Sequence, residues 1–189
     1  MIKRCFDIII SIVILLILSP IIVLICSIVW LQDFKNPLYI APRAKTVNSS
    51  FKMIKIRSMV SNADSMGGSS TSKSDNRITS IGKLIRKTKL DEIVQLWSVL
   101  IGDMSLVGPR PCLLNQFELI KWREKYKLHK VKPGITGLSQ IKGIDMSNPK
   151  KLAQSDLLMI SKINQINYFK YLFLTLFGKG RGDRVKEEK

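Results

Sequence analysis

The sequence predicts a mixed α+β fold, mostly helical, that is attached to a membrane through its N-terminus. An apolar run extends from residue 8 to residue 31 without a charged side chain. Most later segments have helical periodicity, whereas residues 51–59 alternate apolar and basic residues as a strand does. The chain has 189 residues, and the roughly 150 that follow the run are enough for one domain of ordinary size.

The apolar run is long enough to cross a membrane, since it would form about 36 Å of helix against a bilayer core of about 30 Å. Lys3 and Arg4 precede it, as in a signal peptide, but the run is long and no small-x-small cleavage site follows it. Basic residues flank both ends, so the positive-inside rule assigns no orientation to a single span.

Ser19-Pro20 lies at the midpoint of the run. A proline there removes a backbone hydrogen bond to the Leu16 carbonyl and kinks the helix, while Ser19 can donate to a freed carbonyl. Each arm would be about 16 Å long, half a bilayer. A helix bent here could enter and leave by the same face, and the residues alone leave this re-entrant arrangement and a kinked span open.

The elements that follow the run are predicted in order along the chain. The pattern indicates a connector over 36–45, a strand over 51–59, a Ser/Gly-rich loop over 61–76, helices over 80–87 (capped by Ser80), 90–102 and 113–126, and a turn-rich segment over 131–143. Two prolines make 106–111 a rigid loop that presents Arg110. The apolar, aromatic segment 153–178 is predicted to be an interfacial helix, with a core helix as the alternative, before a charged tail over 179–189.

The composition is strongly basic, with 31 Lys+Arg against 14 Asp+Glu and a net charge of +17. Such a surface attracts polyanions, and the apolar N-terminus favours lipid headgroups among them. The chain has no nucleic-acid-binding signature. Its three cysteines lack CxxC spacing and His129 is its single histidine, which excludes a zinc site, a disulfide framework and a multi-histidine centre.

Adjacent acids, Asp91 and Glu92, stand in this basic region. One interpretation is a capping box, with Thr88 as N-cap and Asp91 at the third helical position. The other is a phosphoryl-transfer site, in which neighbouring cations and a helix N-terminus lower a carboxylate pKa and keep the group ionised. One carboxylate could then attack phosphorus and a second could hold Mg²⁺.

Cations suited to bind phosphate surround these acids in the sequence. Arg86 precedes the pair and Arg110 follows it on its rigid loop, and arginines bind phosphate oxygens in a bidentate manner. Lys55 and Arg57 share the basic face of the predicted strand, which beside an anion site would be a wall of ligands. The chain has neither a GxxxxGK loop nor a kinase signature, so a nucleoside triphosphatase or kinase is excluded.

Several segments, in order, are similar to one enzyme family. "KRCFDIIIS", Ser19-Pro20, "DNRITSIGKLIRKTKLDEIVQLWSVLIGDMSLVGPRP" and "KPGITGLSQIKG" resemble the small bacterial sugar transferases, the monotopic phosphoglycosyl transferases, over roughly residues 3 to 175. The resemblance implies transfer of a sugar 1-phosphate from a UDP-sugar to polyprenyl (undecaprenyl) phosphate, with release of UMP, through a covalent aspartyl-phosphosugar in a ping-pong mechanism. It implies the first membrane step of capsule, O-antigen or glycoprotein glycan synthesis.

The resemblance also implies roles for individual residues. Asp91 is expected to be the nucleophile and Glu92 the acid that binds Mg²⁺, with both catalytic. The resemblance makes Arg86 and Arg110 phosphate- or nucleotide-binding residues. The strand pattern, and not the resemblance, adds Lys55 and Arg57 as phosphate-binding residues. The membrane-anchoring residues that the resemblance implies are Lys3, Arg4, Asp7, Ser19 and Pro20. Val94, Ser98, Ile144, Ala41 and Lys45 depart from the family pattern, and the 41–45 and 144 departures are expected to affect sugar choice or anchoring.

On this resemblance the chain divides into a re-entrant membrane helix over 1–35, a catalytic domain over 36–178 and the tail over 179–189. It implies a monotopic protein on the cytoplasmic face of the bacterial inner membrane. The expected partners are a UDP-sugar (an N-acetylhexosamine or 6-deoxy derivative), polyprenyl phosphate, phospholipids and downstream glycosyltransferases, without nucleic acid. The alternative function is a non-catalytic basic membrane module that binds anionic lipid or nucleic acid, which accounts for the charge but not for the acid pair.

Overall fold

The computed structural model describes residues 2–46, 48–67 and 75–177. It has the mostly helical α+β architecture that the sequence predicts, with two small sheets. The predicted tail over 179–189 and residues 68–74 of the Ser/Gly-rich loop lie outside the described residues.

The apolar run forms one helix, α1, over Ile2–Leu31. At 30 residues it would be about 45 Å long if straight, and its length and composition suffice to cross a membrane. Pro20 lies inside it and cannot donate to Leu16, and the Ser19 hydroxyl donates to the Leu16 carbonyl instead, at 2.8 Å. The predicted compensation by Ser19 is therefore confirmed.

Both ends of α1 pack against the rest of the chain, whereas many large side chains in the middle of the helix are exposed. Near the start, Asp7 and Ser11 are buried, and near the end Val29 is 3% exposed. Val29 packs with Ile56 and Ile85. Between these contacts the helix exposes large apolar side chains, among them Leu16, Ile17, Val23 and Leu24.

A hairpin follows α1, formed by β1 (Leu38–Ala44) and β2 (Ser50–Ile56) in antiparallel register. The strand predicted over 51–59 is confirmed, although it ends at Ile56. The connector predicted over 36–45 is wrong, because most of it is β1. Pro42 pairs with Lys52 in this two-stranded sheet, and a proline is tolerated where a strand has an open edge.

Helix α2 spans Ser80–Thr88, and its N-cap is Thr79, whose side chain accepts from the Gly82 amide, so the predicted Ser80 cap is one residue off. The helix predicted over 90–102 is instead a 3₁₀ turn at Leu90–Glu92 and helix α3 at Gln95–Ile101. The capping-box interpretation is wrong, because Thr88 donates backwards to the Leu84 and Ile85 carbonyls.

The second sheet pairs two short strands in parallel, β3 (Ser105–Val107) and β4 (Gly134–Thr136). The loop predicted over 106–111 therefore begins only at Gly108. A Cβ at Gly108 would lie 2.4 Å from the Lys132 carbonyl oxygen, so only glycine allows the two segments to approach this closely.

Within the part of the chain that the structure describes, four further α-helices and a 3₁₀ turn at Leu128–Lys130 are present. The helices are α4 (Phe117–Lys125), α5 (Leu138–Ile141), α6 (Pro149–Ser161) and α7 (Gln165–Leu176). The single helix predicted over 153–178 is wrong, because Asn164 caps α7 by accepting from the Asn167 amide. Helix α7 exposes Ile166, Phe169, Phe173 and Leu176, and its interfacial placement stays a prediction.

The largest core cluster joins the elements around α3. It contains Val99, Met104 and Val107 with Met159 of α6 and Tyr168 of α7. Apolar residues of the first half of α1, such as Phe6 and Ile10, pack against it. Helix α1 is therefore part of the core of the domain that carries the candidate site.

Candidate phosphoryl-transfer site

Asp91 and Glu92 lie on the 3₁₀ turn between α2 and α3. Helix α2 ends at Lys89, which adopts the left-handed conformation with φ 59° and donates its amide to the Arg86 carbonyl. This ending redirects the chain, so that the acids do not continue α2. Asp91 is 8% exposed, a burial that an ionisable group rarely has without a functional or structural partner.

Glu92 is paired with Lys55 of β2, whose Nζ lies 2.8 Å from Glu92 Oε1. About a quarter of each side chain is exposed (24% and 25%). Burial raises the pKa of Glu92, but Lys55, Lys89 and Arg110 outweigh it and hold the pKa below its usual value. Glu92 is therefore ionised at neutral pH, as a metal-binding carboxylate must be.

Asp91 titrates differently from its neighbour. Burial raises the pKa of Asp91 from 3.8 to about 6, with Glu92 adding to the rise and Lys55 and Arg86 opposing it. The expectation that cations and a helix N-terminus lower this pKa is wrong for Asp91, because burial exceeds both effects. A carboxylate with a pKa near 6 is still mostly ionised at neutral pH and is a better nucleophile than a more acidic one.

Arg86 reaches the site from α2, and its Nε donates to Ser58 Oγ at 2.7 Å. Helix α2 packs closely against this segment, since a Cβ at Gly82 would lie 1.9 Å from the Ser58 carbonyl oxygen. Arg86 is near enough to Asp91 to lower its pKa. Ser58 did not figure among the predicted site residues, and no sequence signal marks a hydroxyl that orients an arginine two elements away.

Arg110 reaches the same site from the loop after β3, where its charge lowers the pKa of Glu92. Arg43 of β1 lies beside it, because the Ala44 amide donates to the Cys112 carbonyl at 3.0 Å. Burial and the charge of Arg110 lower the pKa of Arg43. Sequence reasoning missed Arg43 as a site residue because the strand that carries it was interpreted as a connector.

Arg57 lies at the end of α1, where its Nη2 donates to Asp33 Oδ1 at 2.5 Å and to the Val29 carbonyl at 3.3 Å. These contacts hold the hairpin to the end of α1. They do not bring Arg57 to the acid pair, and a phosphate-binding role for it stays a prediction.

The N-terminal residues predicted as membrane anchors contact protein. Lys3 Nζ donates to the Val107 carbonyl at 2.8 Å, and Arg4 donates to the Val99 and Leu100 carbonyls at 2.6 and 2.9 Å. These bonds fix the first turn of α1 to the end of α3 and to β3. Ser19 and Pro20 lie in the exposed middle of the helix, where a membrane would surround them.

Asp7 is buried and accepts three hydrogen bonds. Its Oδ1 accepts from the Leu106 amide at 3.0 Å and from the Tyr168 hydroxyl at 2.8 Å, and its Oδ2 accepts from the Ser105 hydroxyl at 2.9 Å. Burial and Asp7 raise the pKa of Tyr168 well above its ordinary value, so the hydroxyl remains a donor. Asp7 therefore joins α1, β3 and α7.

Two of the positions that depart from the family pattern fill packing sites. Val94 packs against the cluster of Val29, Ile56 and Ile85, and Ile144 packs against the cluster that contains Cys112 and Leu119. Both side chains are uncharged, so neither adds a charge to the surroundings of Asp91. The expected effect of Ile144 on sugar choice or anchoring stays a prediction.

Within the described residues, no group of three or more His, Cys, Asp or Glu side chains is arranged to hold a metal ion. Mg²⁺ does not require one, because it commonly binds through one or two carboxylates together with substrate phosphates and water. An ionised Glu92 beside a second carboxylate fits that donor set, and a softer metal that prefers Cys or His does not fit it.

The family model described as "Bacterial sugar transferase" matches residues 1–180. The chain belongs to this family. The match includes α1, the acid pair and the Arg110 loop, and together with α1 it indicates a membrane-associated bacterial transferase.

Curated relatives carry names of sugar phosphate transferases. The chain is 37% identical over 182 residues to a UDP-glucose:undecaprenyl-phosphate glucose-1-phosphate transferase of Klebsiella pneumoniae, covering 93% of the chain and 39% of that protein. It is 34% identical over 143 residues to a UDP-N-acetylgalactosamine-undecaprenyl-phosphate N-acetylgalactosaminephosphotransferase of Aeromonas hydrophila (74% and 34%).

The Bacillus subtilis protein named uncharacterized sugar transferase EpsL is 34% identical over 174 residues, covering 92% of the chain and 85% of that protein. The chain thus spans nearly all of EpsL, but only 39% and 34% of the Klebsiella and Aeromonas proteins.

Proposed function

We propose that this protein transfers a sugar 1-phosphate from a UDP-sugar to undecaprenyl phosphate, giving undecaprenyl diphosphate-sugar and UMP. The observation that carries the proposal is the convergence of Lys55, Arg86 and Arg110, from three separate elements, on the buried Asp91 and the partly buried Glu92. Family membership and the names of the relatives support the same reaction.

Asp91 is proposed as the nucleophile. One of its carboxylate oxygens attacks the sugar-linked phosphorus, an O–P bond forms, and the bond from that phosphorus to the UMP oxygen breaks with its electron pair. An oxygen of undecaprenyl phosphate then attacks the same phosphorus, the bond to Asp91 breaks, and the carboxylate is regenerated. Burial of Asp91 favours this route, because water would hydrolyse an acyl phosphate.

The charged groups around Asp91 would bind and orient the phosphates. Glu92 would hold Mg²⁺, which when bound neutralises diphosphate charge. Arg86 and Arg110 present guanidinium groups that bind phosphate oxygens in a bidentate manner. Lys55, bonded to Glu92, keeps that carboxylate ionised and adds a further positive charge beside the reacting phosphorus.

A re-entrant α1 supplies the membrane geometry of the proposal. One domain contacts α1 both at Asp7 and at Val29, and a charged domain cannot lie on both sides of a bilayer at once. The exposed apolar middle would then enter the membrane and return at Pro20, which leaves the site at the cytoplasmic face. A water-soluble UDP-sugar and a lipid phosphate could meet there at one level.

The test is UMP release by the full chain in detergent or nanodiscs, with undecaprenyl phosphate and a panel of UDP-sugars that includes N-acetylhexosamines, 6-deoxy derivatives, glucose and galactose. We expect one or a few sugars to support release, and Asp91→Asn to abolish it. Asp103→Asn, which alters a partly exposed acid outside the site, is the control and should remain active. Full activity of Asp91→Asn would overturn the nucleophile.

The net charge of +17 favours one further candidate, a non-catalytic basic module that binds anionic lipid. If the wild-type chain binds anionic vesicles but releases no UMP from any sugar of the panel, this alternative replaces the proposal. A hydrolase of nucleotide sugars would instead release UMP without undecaprenyl phosphate at the full steady-state rate.

A further inference from the structure

The loop that carries Arg110 is held from behind by a side chain of α4. Arg123 Nη1 donates to the Arg110 carbonyl oxygen at 2.8 Å. The flanking carbonyls of the loop have backbone partners, since the Gly134 amide donates to Pro109 and the Ala44 amide donates to Cys112. The Arg110 carbonyl is thus held by a side chain, whereas the Pro109 and Cys112 carbonyls are held by backbone amides of β4 and β1.

Arg123 is itself held rigidly. Its Nη2 and Nε donate to Asp156 Oδ2 at 2.7 and 3.2 Å. Asp156 is fully buried, and its Oδ1 accepts from the Ser139 hydroxyl at 3.0 Å. Only 12% of the Arg123 side chain is exposed, so the network of α4, α5 and α6 is part of the interior.

The shape of the Arg123 side chain allows one residue to bind both Asp156 and the backbone of the Arg110 loop. A guanidinium has several donors in a fixed plane, so Arg123 can bind the carboxylate on one edge and the Arg110 carbonyl on another. A lysine has one compact nitrogen and cannot reproduce both directions. The position of the Arg110 peptide therefore depends on Arg123 and, through Arg123, on the buried Asp156.

We propose that Arg123 is a positioning residue that acts through Arg110. By fixing the Arg110 peptide it keeps the guanidinium of Arg110 directed at a substrate phosphate, and it does not itself touch substrate. This inference rests on the proposed phosphoglycosyl transfer. Placement errors of less than an ångström at a site that binds charged groups reduce binding and rate substantially.

The test is a double-mutant cycle on UMP release, with Arg123→Lys made in the wild-type and in the Arg110→Ala background. We expect Arg123→Lys to raise the KM for the UDP-sugar by about tenfold in the wild-type background. In the Arg110→Ala background the same substitution should change KM by less than about twofold, because the group that it positions is absent.

Ser139→Ala is the matched control, since it removes the Ser139 hydrogen bond to Asp156 Oδ1 but leaves both Arg123–Asp156 bonds and the Arg123–Arg110 bond. It should lower the melting temperature without raising KM. If Arg123→Lys does not fold, Asp156→Asn replaces it and should raise KM in the same direction, because it weakens the bonds that hold Arg123.

Equal KM effects of Arg123→Lys in the two backgrounds would overturn the inference, as would an unchanged KM in the wild-type background. Failure of the proposed function gives a different result, because the wild-type chain would then release no UMP at all. Amide hydrogen exchange over residues 108–112 adds a readout without substrate, and it should rise in Arg123→Lys but not in Ser139→Ala.

Discussion

Lys55 Nζ lies 2.8 Å from Glu92 Oε1, and this ion pair joins the hairpin to the turn that carries the two acids. Lys55→Met keeps the length of the side chain and removes its charge. We expect kcat/KM for UMP release to fall by at least about tenfold, because a hydrogen bond to a charged group contributes roughly 1.5–3 kcal/mol. Steady-state kinetics at fixed Mg²⁺ measure the change. Lys52→Met, an exposed position on the same strand, should have little effect, and an equal loss there would show that surface charge alone matters.

Asp91 gives the reaction an acid limb. Its pKa is raised to about 6 by burial, with Lys55 and Arg86 opposing and Glu92 assisting. On the proposed mechanism the ionised form of Asp91 is the nucleophile, so the rate should be full well above pH 6 and should fall as the pH is lowered through about 6. The pH dependence of kcat/KM for the UDP-sugar between pH 5 and 8, at fixed Mg²⁺, measures this limb, because kcat/KM reports the ionisation of the free enzyme. In Lys55→Met the limb should move to higher pH, because a cation that lowers the Asp91 pKa is gone; a limb that is unmoved or moves down contradicts the assignment.

Gly108 allows the loop to approach the segment before β4. In Gly108→Ala the new Cβ would lie 2.4 Å from the Lys132 carbonyl oxygen and 2.8 Å from the Gly134 amide. We expect a loss of roughly 1–3 kcal/mol in the free energy of unfolding, with lower activity because the Arg110 loop shifts. Thermal denaturation measures the first effect. Gly143→Ala is the comparison, since nothing lies within 4 Å of its Cβ position. Gly143→Ala introduces strain from the positive φ of 64° but no steric clash, and this variant should retain activity.

Asp7 should matter for folding rather than for chemistry. Asp7→Asn keeps the size of the side chain but directs an amide group at one or more of the three donors, Leu106, Ser105 and Tyr168. We expect the free energy of unfolding to fall by roughly 2 kcal/mol or more. In detergent this loss should appear as a lower melting temperature and faster proteolysis. Tyr168→Phe removes a single bond and should cost less. If Asp7→Asn melted like the wild-type chain, the three contacts would have no structural importance.

The topology of α1 can be read from cysteine labelling. Cys5 is exposed before the apolar run, and Gln32→Cys adds an exposed thiol after it, with Cys26 and Cys112 replaced by serine. A re-entrant helix predicts that a membrane-impermeant reagent labels both sites in inverted inner-membrane vesicles and neither site in spheroplasts. A kinked span predicts that the two sites label from opposite sides.

The sequence predicts those parts of the fold that depend on local pattern. Composition and periodicity alone predict the apolar helix α1 and the alternating strand around Lys55. The Ser19-Pro20 pair predicts that the Ser19 hydroxyl donates to a carbonyl that Pro20 leaves free. Strand β1 was not predicted, because Pro37 and Pro42 indicate a break, and only pairing with β2 makes the segment a strand. The division of α6 from α7 depends on one asparagine cap, which a continuous apolar pattern conceals.

The candidate site was predictable as a set of residue types and not as an arrangement. Asp91, Glu92, Arg86 and Arg110 lie in family motifs, so the resemblance identifies them. The raised pKa of Asp91 depends on burial by elements distant in sequence, which no local pattern reports. Arg123 escapes prediction for the same reason, because it reaches the Arg110 loop from a separate helix. Arg43 escapes prediction because Pro37 and Pro42, before and within its strand, indicate a connector.

Helix α1 packs on the rest of the chain at both Asp7 and Val29, so the hydrophobic helix is an integral part of the folded domain. A chain that began at residue 32 would expose the core faces that Phe6 and Val29 cover. It would remove the Asp7 carboxylate from Tyr168 and the Val29 carbonyl from Arg57, whose side chain would keep only Asp33. Removing α1 to obtain a soluble protein would therefore destabilise the domain that carries the candidate site. On the proposed function, a bilayer that covers the exposed middle of α1 would therefore support the folded site as well as hold its lipid acceptor.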